Sequence, residues 1–128
     1  MITNFDKHTE ELDAHDLAII PLVIKAFSKY TKENPIKAPE IVATFNLNKE
    51  KINYPRKLSE PKLRKMCNYI RSNGLLPLIA TSQGYYVSYD QKEVNDMIKS
   101  LRERAASINR SADGLVKFAD KFGMSFQN

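Results

Sequence analysis

The sequence predicts a mainly α-helical fold with a small β-hairpin, formed by a winged helix-turn-helix and a long C-terminal helix. Three stretches with helical spacing of apolar residues come first, and two short β-prone runs around a glycine-containing turn follow them. The rest of the chain carries a heptad pattern of apolar residues. We therefore expect a winged-helix domain over residues 1–90 and a helical extension over residues 91–128.

Two helices are predicted in the N-terminal part. Pro21 is expected to kink the first helix or to begin its regular part, and Pro35 follows its end. The apolar face of this helix is formed by Leu17, Ile20, Ile24 and Phe27. Pro39 and Glu40 suit the first turn of a second, short helix. Its apolar face consists of Ile41, Val42 and Phe45.

The third helix and the hairpin have the clearest local signals. Ser59 is a good N-cap, Pro61 is tolerated in the first turn, and Asn73-Gly74 is a typical C-terminal stop. The apolar stripe of this helix is Leu63, Met66, Cys67 and Ile70. The hairpin pairs the run 78–81 with the run 85–89, and its tip lies between them.

Positive charge is concentrated in one segment of the chain. The net charge of +5 is mild, but residues 49–74 carry eight Lys and Arg against two Glu. Residues 1–48 carry five Lys and seven acidic residues. A local basic patch suits a polyanionic partner. The alternative interpretation is a solvated basic helix face that binds no ligand.

The basic segment supplies candidates for DNA contact. With the apolar stripe inward, the third helix turns Lys65, Asn68, Tyr69 and Ser72 outward, and the N-terminal part of such a helix enters the major groove. Lys can donate to guanine and Asn can pair with adenine, so the candidates for base contact are Lys62, Lys65 and Asn68. The candidates for phosphate contact are Arg56, Lys57, Arg64 and Arg71. At the hairpin tip, Ser82 and Gln83 either touch the DNA or form only a turn.

The last predicted helix carries an apolar seam over about four heptads. We expect it to pair with a second copy of the chain, since a seam this long exceeds what one small domain covers. The alternative is packing against the first helix of the same chain, and Gly114 is a possible break. The predicted self-association residues are Val94, Ile98, Leu101, Ala105, Ile108, Ala112 and Leu115; Ala119 and Phe122 continue the spacing.

The sequence gives no indication of catalysis, a cofactor or a metal site. His8 and His15 lie in a polar stretch without a nucleophile beside them, and Cys67 lies on an apolar face. One cysteine and two histidines do not make a zinc site of the usual kind. No apolar run is long enough to span a bilayer, and the N-terminus lacks the pattern of a signal peptide. We therefore expect a cytoplasmic protein that is not an enzyme and has no membrane partner.

The stretch from Lys57 to Arg104 resembles winged-helix proteins of phages and prophages. The resemblance rests on a helix of the form "lR..inyiR" at residues 63–71, a wing ending in "s.GYy" before residue 87, and "SL..R" at residues 100–104. It covers 48 of the 128 residues of the chain. It implies double-stranded DNA binding in phage DNA replication or regulation, with a replisome protein as a possible further partner.

Two other functions remain as alternatives. An interaction adaptor would use the winged helix as a scaffold and the last helix to recruit a protein, but it has no need of the basic patch. A single-strand binder would stack bases on tyrosines. The tyrosines in question are Tyr85, Tyr86 and Tyr89.

Overall fold

The structure, a computed structural model, describes residues 11–124; residues 1–10, which include His8, and residues 125–128 lie outside the described residues. Within the described part, four helices and a two-stranded antiparallel sheet confirm the predicted mainly α-helical class with one hairpin. The elements are α1 (Ala14–Phe27), α2 (Ala38–Leu47), α3 (Glu60–Ser72), β1 (Leu78–Thr81), β2 (Gly84–Val87) and α4 (Gln91–Lys121).

The chain divides into two compact units. The first, Met1–Asp90, contains α1 to β2, and the second, Gln91–Asn128, contains α4. The winged-helix identity of the first unit and the assembly role of the second remain predictions.

Helix α1 buries Ile20 and Phe27 as the sequence predicted, but its inward face is shifted from the predicted one. Leu17 is 41% exposed and Ile24 is only partly buried. The buried residues are Asp16, Ile19, Ile20, Val23 and Phe27. The prediction was wrong at Leu17 because the inward face begins with a carboxylate, which an apolar pattern does not include. Pro21 lies on the exposed side inside the continuous helix.

Helix α3 confirms its predicted stripe and both of its predicted ends. Leu63, Met66, Cys67 and Ile70 are all buried. At the N-terminus, Ser59 Oγ accepts from the backbone N–H of Lys62 at 3.2 Å. At the C-terminus, Gly74 has φ +63° and the N–H of Leu75 donates to the carbonyl of Ile70 at 2.9 Å, which satisfies a carbonyl that has no partner within the helix.

The hairpin is attached to the chain segment before α2. Strands β1 and β2 pair in the register Leu78 with Val87 and Thr81 with Gly84. Tyr85 also forms an isolated bridge with Ile36, with N–O distances of 2.9 and 2.7 Å. Gly84 has φ +128°, and a Cβ there would lie 2.5 Å from the Ile36 carbonyl oxygen. Only glycine therefore allows the hairpin to approach Ile36 this closely.

The core of the first unit takes apolar side chains from every helix of that unit and from β1. Phe27 of α1, Ile41 of α2 and Leu63, Met66 and Ile70 of α3 are among its largest fully buried side chains. Helix α3 is thus held by its whole apolar face, which fixes the direction of its opposite, polar face.

In the second unit, α4 is one continuous helix through Gly114, a point that the sequence had left open. Its 31 residues correspond to a length of about 46 Å. The helix ends at a left-handed Gly123, where the N–H of Met124 donates to the carbonyl of Ala119 at 2.7 Å.

Candidate nucleic-acid interface

The solvent side of α3 presents a polar surface opposite the core. Arg64 and Asn68 are exposed, Lys65 is half-buried, and Tyr69 is 37% exposed. We call these four residues the α3 face. The 100° step between successive helical residues places them together because the four buried residues take up the other side. Tyr69 was not among the predicted contact residues, although the helical period predicts that it turns outward with Lys65 and Asn68.

Two of the predicted DNA-binding residues take part in an ion cluster around the fully buried Asp16 (0% exposed). Arg56 Nη1 and Lys62 Nζ each lie 3.0 Å from an Asp16 carboxylate oxygen. The Tyr54 hydroxyl donates to the same carboxylate at 2.6 Å. Arg56 Nη2 also pairs with Asp13. We call these five residues the Asp16 cluster.

The cluster changes the acidity of its members. The backbone N–H of Asp16 donates to Asp13 at 2.8 Å and, together with Arg56, lowers the pKa of Asp13 to about 2. Burial and the hydrogen bond to Asp16 raise the pKa of Tyr54 to about 12. Hydrogen bonds to Tyr54 and Asp13 raise the pKa of Arg56. The two basic residues thus face two carboxylates, so their formal charges cancel within the cluster.

Asp13, Asp16 and Tyr54 are residues whose role the sequence did not reveal. Their partners are distant in sequence, since Lys62 and Asp16 are 46 positions apart. One local signal was present. Asp13 and Asp16 form a capping box at the start of α1, with each side chain accepting from the backbone N–H of the other.

Arg71, another predicted contact residue, connects α3 to the hairpin. Its Nε donates to the carbonyl of Leu78 at 2.9 Å. Its Nη2 is buried and has no hydrogen-bond partner within residues 11–124. Arg71 also acts electrostatically on Cys67, but burial dominates and raises the pKa of that thiol to about 11. The Arg71 side chain is therefore partly committed to the attachment of β1.

The remaining predicted contact residues lie at the surface. Lys57 is exposed, as are Ser82 and Gln83 at the hairpin tip. The tip is ordered by Thr81, whose hydroxyl accepts from the N–H of Gln83 at 3.1 Å. Of the nine predicted residues, the structure thus brings Arg64, Lys65 and Asn68 together on α3, and places Lys57 and the tip elsewhere on the surface of the first unit.

The tyrosines of the hairpin differ in their accessibility. Tyr86 is buried, and the Tyr85 ring packs against Phe27 with a centroid distance of 5.2 Å. Tyr89 alone of the three is fully accessible, at 83% exposure. Base stacking on Tyr85 or Tyr86 would require those rings to leave their packing sites.

In the second unit, the predicted seam of α4 is largely exposed. Ile108 and Leu115 are 69% and 72% exposed, and Ala105 and Ala112 are exposed as well. Ile98 and Leu101 are also on the surface, whereas Val94 is half-buried and Ala119 is buried. Near the C-terminus the rings of Phe118 and Phe122 lie 4.6 Å apart.

Among residues 11–124, no group of three or more His, Cys, Asp or Glu side chains is arranged to hold a metal ion. In the same residues, none of the helices combines the length and apolarity needed to cross a membrane. No protein-family model, curated protein or solved structure matches the chain.

Proposed function

We propose that the first unit is a winged helix-turn-helix that binds double-stranded DNA, with α3 in the major groove and the hairpin as the wing. The observation that carries the proposal is the α3 face. One side of α3 is completely buried, and the other presents Arg64 and Asn68 to solvent beside the half-buried Lys65. The order of elements supports it, as does the bridge from Ile36 to Tyr85, which adds a third short segment beside the hairpin.

The proposal assigns different roles to the predicted residues. Lys65 and Asn68 lie nearest the centre of the α3 face and contact bases, while Arg64 and Lys57 contact phosphates. Ser82 and Gln83 contact the flanking backbone from the wing. Arg56, Lys62 and Arg71 position α3. The first two form ion pairs with Asp16, and Arg71 donates to the Leu78 carbonyl. The assignment to phage replication or regulation rests on the resemblance of residues 57–104 alone.

The test compares two double variants that each remove one arginine charge and one amide from a helix surface. Arg64→Ala with Asn68→Ala acts on the α3 face, and Arg110→Ala with Asn95→Ala acts on exposed residues of α4. Fluorescence anisotropy with a 30-base-pair duplex is expected to show a loss of about tenfold or more for the first pair, because a base contact and a phosphate contact are removed. The second pair is expected to bind like the unaltered protein.

Equal affinity of both double variants and the unaltered protein would contradict the assignment of the α3 face. Binding of a DNA single strand, measured in parallel, tests the alternative that bases stack on the exposed Tyr89. Tighter binding of the single strand, lost on Tyr89→Ala, would replace the duplex proposal by stacking.

We further propose that α4 pairs with α4 of a second copy, so that the protein is a homodimer with two DNA-binding units. The observation that favours this is the exposure of Ile108 and Leu115 in the middle of a regular heptad seam. Sedimentation of Ile108→Asp tests it, with Ser107→Asp as the control that adds the same charge one residue away. We expect Ile108→Asp to be monomeric and Ser107→Asp to remain dimeric; the reverse, or no difference, would contradict the pairing.

A further inference from the structure

We propose that the two α4 helices pair antiparallel, in the register that places Ala105 of one copy against Leu115 of the other. The inference rests on the homodimer proposed above and adds its geometry. In the central part of the seam, small and large side chains alternate.

The seam has two classes of position. In one class, alanine recurs every seven residues, at Ala105, Ala112 and Ala119, after a large first member at Ile98. In the other class, a large side chain recurs with the same period, at Leu101, Ile108, Leu115 and Phe122. A heptad seam normally places large apolar residues in both classes. The separation of small and large residues can therefore indicate the orientation of the partner helix.

The two possible orientations use these classes differently. In a parallel pair each position packs against the same position of the partner, so alanine layers would alternate with layers of two large side chains. Helices at a single separation of 8–10 Å cannot fit both kinds of layer without a gap at the alanines. In an antiparallel pair the two classes face each other. Every central layer then contains one alanine and one large side chain.

One register satisfies this rule along the central seam. In this register the two-fold axis crosses the helix pair at the level of residue 110, which is not itself in the seam. Ala105 then faces Leu115 of the second copy, and Ile108 faces its Ala112. Leu101 is then level with Ala119, which is already buried in the single chain, and Ile98 and Phe122 lie at the ends of the paired stretch. Val94 falls outside it. The surface is self-complementary, as a two-fold dimer requires, and this identifies a second copy as the occupant.

The residues flanking the seam are compatible with this register. Among the flanking positions between residues 95 and 118, the charged residues are Arg102 and Arg104. In the antiparallel register Arg102 lies beside Val116 of the second copy and Arg104 beside its Phe118. Asn109 and Ser111 each meet their own counterpart. No two like charges are opposed, and Arg104 gains an aromatic ring to pack on.

The arrangement places the two Gln91 residues, where the α4 helices begin, at opposite ends of the helix pair. The first residues of the two α4 helices would lie about 57 Å apart along the axis, at 1.5 Å per residue. In a parallel pair the same two points would lie side by side.

Disulfide formation between engineered cysteines distinguishes the two orientations. A tagged chain with Ala105→Cys is mixed with an untagged chain with Leu115→Cys, and the mixture is oxidised and separated without reductant. We expect a cross-linked dimer of one tagged and one untagged chain. Neither variant alone should cross-link, because residue 105 lies about 15 Å along the axis from its own counterpart. The unaltered protein is the control for Cys67, which is buried.

Cross-linking of either variant with itself would overturn the proposal in favour of parallel pairing. A dimer by sedimentation that gives no mixed cross-link would overturn the register. A monomer by sedimentation would overturn both the dimer and its geometry. Duplex binding measured on the same samples tests the proposed function of the first unit separately. A failure of the α4 pairing can therefore be distinguished from a failure of DNA binding.

Discussion

Asp13 is the residue of the Asp16 cluster whose acidity can be followed most directly. Its pKa is lowered to about 2 from the usual 3.8 by the Asp16 backbone N–H and by Arg56. Because the folded pKa is depressed, the carboxylate stabilises the fold above the unfolded value and this contribution is lost as the pH falls from about 4 through about 2.

Carboxyl resonances followed by NMR against pH are expected to show a midpoint for Asp13 near 2. Arg56→Ala should raise this midpoint only partly, because the largest cause, the backbone hydrogen bond, is retained. A midpoint that returns fully to the value of an exposed aspartate in Arg56→Ala would contradict this order of causes.

Cys67 gives a second test at the level of one residue. Its thiol is buried, and burial raises its pKa to about 11. Since the thiolate is the reactive form, iodoacetamide at pH 8 is expected to modify the folded protein far more slowly than the protein in denaturant. Equal rates under the two conditions, followed by mass spectrometry, would show that α3 does not hold Cys67 in the core.

Two glycines give opposite predictions for the elements that contain them. Gly84→Ala should destabilise the first unit by more than about 1 kcal/mol, because the φ value disfavours alanine and its Cβ would meet the Ile36 carbonyl. Gly114→Ala should stabilise α4 by up to about 1 kcal/mol, because a Cβ there meets nothing within 4 Å in a helix interior. Urea unfolding checks the first and hydrogen exchange of the α4 amides the second. The same sign for both would contradict the account.

The elements show which features of the fold a sequence can predict. Helix α3 and the hairpin were predicted because their signals are local: a 3.6-residue apolar period, a serine cap and glycine-containing ends. The inward face of α1 was missed because Asp16 is buried through partners that are far away in sequence. The ion pairs of Arg56 and Lys62 with Asp16 were missed for the same reason, since a charge count along the chain does not show which carboxylate lies beside each basic residue.

For the whole molecule, the basic segment is less uniform than its sequence indicates. Of the eight basic residues between 49 and 74, Arg56, Lys62 and Arg71 are engaged within the first unit. Lys57 and Arg64 are exposed. The proposed DNA-binding surface is therefore smaller than the charge distribution alone indicates, and it is centred on α3. Its affinity for phosphate is expected to be moderate in one unit and stronger when a dimer presents two.

The most direct test of the central proposal is the binding of the unaltered protein to a random 30-base-pair duplex at about 50 and 200 mM salt. Fluorescence anisotropy is expected to show micromolar binding at the lower salt and a steep loss at the higher salt, because neutralised phosphates release counterions. Absence of duplex binding at the lower salt would contradict the proposal. The α4 seam and a protein partner would then be the basis for function.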